Sequence, residues 1–242
     1  MSIFDDLAAE QDRLDAILAG LTEEQWLSPS AAAGWTIADT VLHLAQTEEA
    51  VVRTAGPETG RDWRQYGTTV DGAMAALVEA ERTTPAEIFQ RWRTARTEAL
   101  AALRQADPKR PLGWVEAALK PPTLATTRLA EHWAHGLDIA GPLGADFPDT
   151  ARLRHIAWLG HSTLPYAFAL NGQEPATVYC ELTGPDGDVW RYGAVTAESR
   201  ITGAAGAFCR VGAQRLAPED SGLVTEGPHA LAALSVLRNY AQ

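Results

Sequence analysis

Cysteine is scarce in this chain: only Cys180 and Cys209 occur in 242 residues, too few for the disulfide framework that supports small secreted folds. Both read as small buried hydrophobes. A membrane-spanning run is missing as well. The longest apolar stretches, such as Ala73 to Val78 and Ala230 to Leu237, fall well short of the roughly 20 residues that cross a bilayer. The first residues, Met-Ser-Ile-Phe-Asp-Asp, do not follow the basic-then-apolar plan of a secretory signal, so the expected location is the cytoplasm. Positive charge is also short, with 20 Lys and Arg against 31 Asp and Glu and a formal net charge of −11. That balance argues against nucleic acid, whose affinity comes from phosphates neutralised by Lys and Arg. Arg91, Arg93 and Arg96 read as the solvated face of a long helix. What remains, 46% hydrophobic and 21% charged residues, is an ordinary globular composition, enough for one large domain or two small ones.

Leu7, Leu14, Ile17, Leu18 and Leu21 recur at helical spacing, predicting one helix from Phe4 to Leu21 that stops before Pro29. Thr36 with Asp39 resembles a cap for a second helix from Ile37 to about Arg53. After a loop from Gly56 to Gly67, a third helix is predicted from Met74 to Glu81 and a fourth from Pro85 through Leu103. The prolines between Asp107 and Pro122 imply a loop, and a strong helix follows from Thr123 to about Ile139, closed by Gly141 and Pro142. The second half changes character. A helix over Ala151 to Ala169 gives way to alternating Thr177 to Thr183, the turn Gly184 to Gly187, and Val189 to Tyr192, which together read as a β-hairpin. The Gly184 to Gly187 segment is better explained as that turn than as a phosphate cradle. A strand at Arg200 to Gly203, a helix at Ala204 to Gln214 and a closing helix at His229 to Tyr240 complete an α+β reading. The expected division is a helical bundle over residues 1–145 and an α+β domain over 146–242.

Two helices carry polar residues inside apolar stripes. His43 lies between Val41-Leu42 and Leu44-Ala45, while Glu131 and His135 stand four apart in Leu129-Ala-Glu-His-Trp-Ala-His135 and project from one face. A Glu-x-x-x-His spacing also arises by chance in many helices. As ligands, imidazole and carboxylate suit zinc, iron or nickel, and His43 on a facing helix supplies the third donor. Two histidines and one carboxylate leave coordination positions open, as catalytic metal sites do. Asp138, three residues after His135, is placed to orient it. His132 points about 100° away from Glu131 and reads as structural or pocket-lining. His155, His161 and His229 have no partner at ligand spacing. Among the eight tryptophans, Trp35, Trp133 and Trp190 are candidates for an aromatic pocket, with core packing the simpler role for each.

Gly34-Trp35-Thr36-Ile37-Ala38-Asp39 leading to His43-Leu44, together with Glu131-x-x-x-His135-x-x-Asp138, resembles the DinB-like superfamily, in the branch of mycothiol-dependent maleylpyruvate isomerases. The stretches Glu131 to Gly136, Leu182 to Gly187 with Trp190, and Phe208 to Arg215 resemble an actinobacterial subgroup known only as metal-binding. The resemblance implies a four-helix bundle holding one divalent metal through His43, Glu131 and His135, zinc first, with nickel or iron as alternatives. It also implies a C-terminal α+β domain like sterol carrier proteins, mycothiol as co-substrate, and an arginine for substrate carboxylates. Arg215 is the first candidate for that arginine and Arg210 the second, although the loop Leu216 to Gly222 departs from the pattern.

The expected function is a metal-dependent isomerase or thiol S-transferase acting on a small unsaturated or electrophilic substrate. Arg215 would pin a carboxylate and Asp138 is a candidate for moving protons. Two alternatives differ in class: a thiol-independent lyase, hydrolase or cyclase, and a non-catalytic carrier of an apolar small molecule. The expected partner is a small molecule, with neither nucleic acid nor membrane involved, and the expected assembly is a monomer or homodimer.

Overall fold

The structure is a computed structural model that describes residues 2–56, 63–115 and 117–239. These fall into two compact units, one extending to Phe147 and one beginning at Pro148. The first contains α1 (Ile3–Leu18), α2 (Glu23–Leu27), α3 (Ile37–Ala55), α4 (Val70–Ala80) and α5 (Pro85–Gln105), then a small hairpin of β1 (Leu112–Trp114) and β2 (Ala117–Leu119), and α6 (Pro121–Leu143). The long helices α1, α3, α5 and α6 pack into a bundle. Their starts are locally encoded. Ser2 with Asp5, Thr36 with Asp39, and Thr84 with Glu87 form capping boxes that satisfy backbone N–H groups the first turn leaves free. The apolar faces then close on each other, with Leu7 and Leu14, Val41 and Leu42, Ile88 and Trp92, and Leu129 and Trp133 all buried.

Several boundaries differ from expectation for identifiable reasons. The helix expected over Phe4 to Leu21 ends at Leu18, because Thr22 and Gln25 form a capping box of their own that opens α2. The third helix starts at Val70 rather than Met74, since the Thr69 hydroxyl accepts from the Gly72 N–H at 3.1 Å. Of the loop expected over Gly56 to Gly67, residues 57–62 lie outside the described ones. The segment after Asp107 is not all loop, as Leu112 pairs with Leu119 and Trp114 with Ala117. Arg91, Arg93 and Arg96 do not form a free basic face: Arg93 forks onto Asp15 and Arg91 onto Glu49, and Arg96 reaches Asp12 and Asp15. They tie α5 to its neighbours.

One helix departure bears on the site. α6 does not close near Ile139 but continues through Gly141 and Pro142 to a left-handed Gly144 with φ 63°. Pro142 has no N–H to give the Asp138 carbonyl one turn earlier. That carbonyl accepts instead from the Ala31 N–H at 2.8 Å, which pins the loop before α3 to α6.

The second unit holds α7 (Leu153–Ser162), α8 (Leu164–Leu170), β3 (Val178–Thr183), β4 (Val189–Tyr192), β5 (Ser199–Ala204), α9 (Ala205–Gly212), β6 (Val224–Glu226) and α10 (Ala230–Val236). The sheet order is β4-β3-β5-β6. The expected hairpin is present, pairing Cys180 with Tyr192 and Leu182 with Trp190, whereas β3 and β5 run parallel with Cys180 beside Ile201. The single helix expected over Ala151 to Ala169 is two, broken near Thr163, because Pro165 cannot donate to the carbonyl four residues back. The closing helix ends at Val236, short of the expected Tyr240, which lies outside the described residues. Cys180 and Cys209 are free and buried, and burial pushes the Cys180 thiol up to about 12. The fold class is α+β, and no helix among the described residues is long and apolar enough to cross a membrane.

Asp39 couples sequence, cap and charge at the head of α3. Its carboxylate accepts from the Thr36 N–H at 3.0 Å and from the Arg82 fork at 2.8 and 3.2 Å. Burial works to raise its pKa, but the hydrogen bonds from Arg82 and Thr36 outweigh it and hold the carboxyl below the usual range. A folded pKa below the unfolded one means that this stabilisation is present above the unfolded value near 3.8 and is lost as pH falls through the lower folded one. Asp39→Ala should therefore lower stability at pH 7 by about 1–2 kcal/mol. The deficit relative to wild type should shrink in urea titrations run toward pH 3, and a deficit independent of pH would contradict this account.

Candidate metal centre

α3 and α6 bring His43, Glu131 and His135 together. One ligand atom from each lies within 4.8 Å of the others. His43 stands two turns into α3, and the i, i+4 spacing puts Glu131 and His135 on one face of α6, as their periodicity predicts. Both imidazole Nε2 atoms lie 3.6 Å from the same oxygen, Glu131 Oε2. The rings of His43 and His135 meet edge to face with centroids 5.2 Å apart. Both histidines are nearly enclosed, whereas the Glu131 side chain keeps 26% of its surface exposed and gives the cluster an open side.

Asp138 accepts from His135 Nδ1 at 3.0 Å. A carboxylate only accepts, so Nδ1 carries the hydrogen, and in the neutral ring Nε2 presents its lone pair to Glu131. A lone pair facing a carboxylate oxygen needs a cation between them, either a proton or a metal ion. Nitrogen and oxygen donors about 2.0–2.2 Å from one ion sit about 3.3–3.6 Å apart in tetrahedral geometry, which matches the spacing at Glu131. The donor set therefore fits a divalent ion.

The three groups also shift one another's ionisation. Burial pushes His43 down, although the neighbouring Glu131 carboxylate opposes it. For Glu131, burial raises the pKa, but the imidazoles of His135 and His43 beside it overcome that and hold the carboxyl well below the ordinary range. His135 is raised, because the carboxylates of Asp138 and Glu131 outweigh the opposing effect of burial.

Trp35 forms a wall beside the cluster, its ring 5.0 Å from that of His43 and 6.2 Å from that of His135. Its loop is held by Ser30 N–H to the Trp35 carbonyl at 2.9 Å and by the Ala31 contact to α6. Trp133, by contrast, is core. Trp190 belongs to β4 in the second unit.

His132 is fully buried and is not part of the cluster. It donates from Nδ1 to the Arg128 carbonyl at 2.8 Å and accepts from Trp92 Nε1 at 3.2 Å. Burial, with the Arg128 charge adding to it, pushes its pKa down to about 3, so it is a neutral strut between α5 and α6. Arg210 pairs with Asp149 at 2.8 Å through both terminal nitrogens. Arg215 follows α9, and one of its terminal nitrogens donates to the Ala213 carbonyl at 2.6 Å. Sequence reasoning did not single out Glu48 and Arg128, an enclosed ion pair at 2.8 Å between α3 and α6. No local pattern marks two charges 80 residues apart as partners.

A bundle whose core converges two imidazoles and a carboxylate defines a class of protein, and comparison with known ones gives its membership. A profile of the mycothiol maleylpyruvate isomerase N-terminal domain matches residues 7–140. The chain belongs to this DinB-like, maleylpyruvate isomerase-like family. Two uncharacterized proteins, from two strains of Mycobacterium tuberculosis, are each 38% identical to it over 219 residues, which is 88% of this chain and 84% of theirs. Two crystal structures of the mycothiol-dependent maleylpyruvate isomerase, one of them a mutant, share its fold with TM-scores of 0.62 and 0.61 at 15% and 16% identity. Each match covers 93% of this chain and 95% of theirs.

Proposed function

We propose that this protein is a metal-dependent enzyme that uses mycothiol as co-substrate, isomerising or thiolating a small unsaturated or electrophilic compound. The observation that carries this reading is the convergence of His43, Glu131 and His135 on one point of a bundle from this family. A divalent ion held there, zinc first, supplies a Lewis acid that makes a bound thiol a nucleophile at neutral pH. His43, Glu131 and His135 hold the ion; Asp138 fixes the tautomer and orientation of His135. Trp35 walls the histidines on one side, and Arg215 is assigned to a substrate carboxylate, for which a guanidinium fork is suited. In the isomerase reading, addition of the thiol sulfur to a cis-enone converts its double bond to a rotatable single bond. Loss of the same thiol then returns the trans isomer.

The test is an isomerisation and thiol-consumption assay on zinc-loaded protein with a small enone diacid such as maleylpyruvate, with and without mycothiol. Turnover is expected only with mycothiol. Arg215→Ala should raise KM about tenfold or more, the loss expected when one charge-assisted carboxylate contact of roughly 1.5–3 kcal/mol is removed. Zinc-loaded protein whose melting temperature and activity are indifferent to mycothiol would refute the thiol reading.

A further inference from the structure

The buried pair Glu48 and Arg128 lies about one turn from the cluster along α3 and α6. Arg128 is one turn before Glu131 on α6 and only 2% exposed. Its Nε donates to Glu48 Oε1 at 2.8 Å, and its Nη2 donates to Thr47 Oγ1 at 2.6 Å. The guanidinium carbon sits 5.6 Å from the centroid of Trp114. Thr47 in turn shares its one hydroxyl hydrogen between the carbonyl of His43 at 2.9 Å and that of Leu44 at 3.0 Å. One side chain of α6 thus grips α3 at two successive residues, and one of those is bonded to the backbone of a cluster histidine.

Stability does not explain this arrangement. Removing two charges from water in a bundle core offsets much of what their attraction returns, and apolar residues of the same volume commonly do as well. Glu48 is fully enclosed, its second oxygen, Oε2, has no hydrogen-bond partner among the described residues, and burial pushes its carboxyl up despite Arg128. An unpartnered buried oxygen is an energetic loss that a purely apolar contact would avoid. What the pair provides is direction. A planar fork with fixed donor angles sets how far apart, and at what rotation, α3 and α6 lie one turn from the cluster.

We infer that Arg128, Glu48 and Thr47 form a clamp between the two ligand-bearing helices, one that sets the separation of His43 from Glu131 and His135. Arg128 is thus a positioning residue for metal binding and not a ligand. The inference rests on the proposed metal centre.

The test measures zinc affinity by competition with a chromophoric chelator, the visible spectrum of the cobalt(II)-loaded protein, and the melting temperature before metal is added. Wild type, Arg128→Met, Arg128→Lys and Glu48→Gln are compared. Arg128→Met should weaken zinc binding about 10–100-fold, the range for groups that orient ligands without touching the metal, and should shift the cobalt spectrum as ligand geometry relaxes. Arg128→Lys, which keeps the charge and a donor, should recover part of the affinity. If Arg128→Met does not fold, Glu48→Gln decides, since it preserves shape while removing the charge that holds the fork, and a several-fold loss is expected. Wild-type affinity and an unchanged cobalt spectrum in a folded Arg128→Met, or in Glu48→Gln when Arg128→Met does not fold, would overturn the clamp alone. A wild type that takes up no zinc would overturn the metal centre and the clamp together.

Discussion

Protein carrying His135→Ala, purified without a histidine tag, is expected to contain almost no zinc, nickel or iron, against about one equivalent in wild type. The substitution removes one of three donors and also breaks the hydrogen bond between His135 and Asp138. His43→Ala should behave alike, with the fold retained, because α3 is held by its own cap and by Val41, Leu42 and Leu44 in the core. The loss should also be visible as thermodynamic linkage. Zinc at about a hundred times its dissociation constant stabilises a folded site by about 2.7 kcal/mol, so the wild type should melt at higher temperature with zinc and the variants should not respond. Elemental analysis by plasma mass spectrometry checks the first statement and calorimetry the second. Metal present at equal stoichiometry in both variants would remove the centre from consideration, and with it the thiol chemistry.

The second large effect lies in the packing beneath the cluster. Trp92 on α5 is fully buried, stacks on Phe89 with centroids 6.2 Å apart, and donates to His132. Trp92→Ala opens a cavity the size of an indole and leaves an enclosed imidazole nitrogen without its donor. About 3–5 kcal/mol of bundle stability should be lost, as read from urea denaturation followed by far-ultraviolet circular dichroism. Trp92→Phe separates the two contributions. It keeps most of the ring volume and loses the N–H, so about 1–3 kcal/mol should go. If Trp92→Phe is as stable as wild type, His132 is not the strut described above and its hydrogen bond to Trp92 contributes nothing measurable.

Most of the helical framework was legible because its signals are local. Thr36 with Asp39, and Pro85 at a first turn, announce helix starts within a few residues, and the apolar stripes that follow repeat at 3.6. Glu131, His135 and Asp138 could be read as one face for the same reason, since spacings of three and four on a helix are a geometric identity, not a property of packing. The misread boundaries have physical causes too. Pro142 looked like a stop, yet a proline in a last turn forfeits only one hydrogen bond, and here the Ala31 N–H supplies the Asp138 carbonyl with a substitute from another part of the chain. The strand β6 is three residues long and pairs only at the sheet edge, too short for a period of two to declare itself.

What the amino-acid order determined by itself, then, is where helices start, which of their faces are apolar, and that Glu131 and His135 share a face. Tertiary structure alone decided that His43 meets them, that Trp35 lies against both rings, that β3 and β5 run parallel, and that Glu48 and Arg128 find each other in the core. The reason is the range of the interactions. Caps and helical periodicity are set by neighbours within a turn or two. Contacts beyond that range, 21 residues for Cys180 beside Ile201 and 80 for Glu48 with Arg128, depend on how whole elements dock, and no residue carries a local mark of the partner it will meet there.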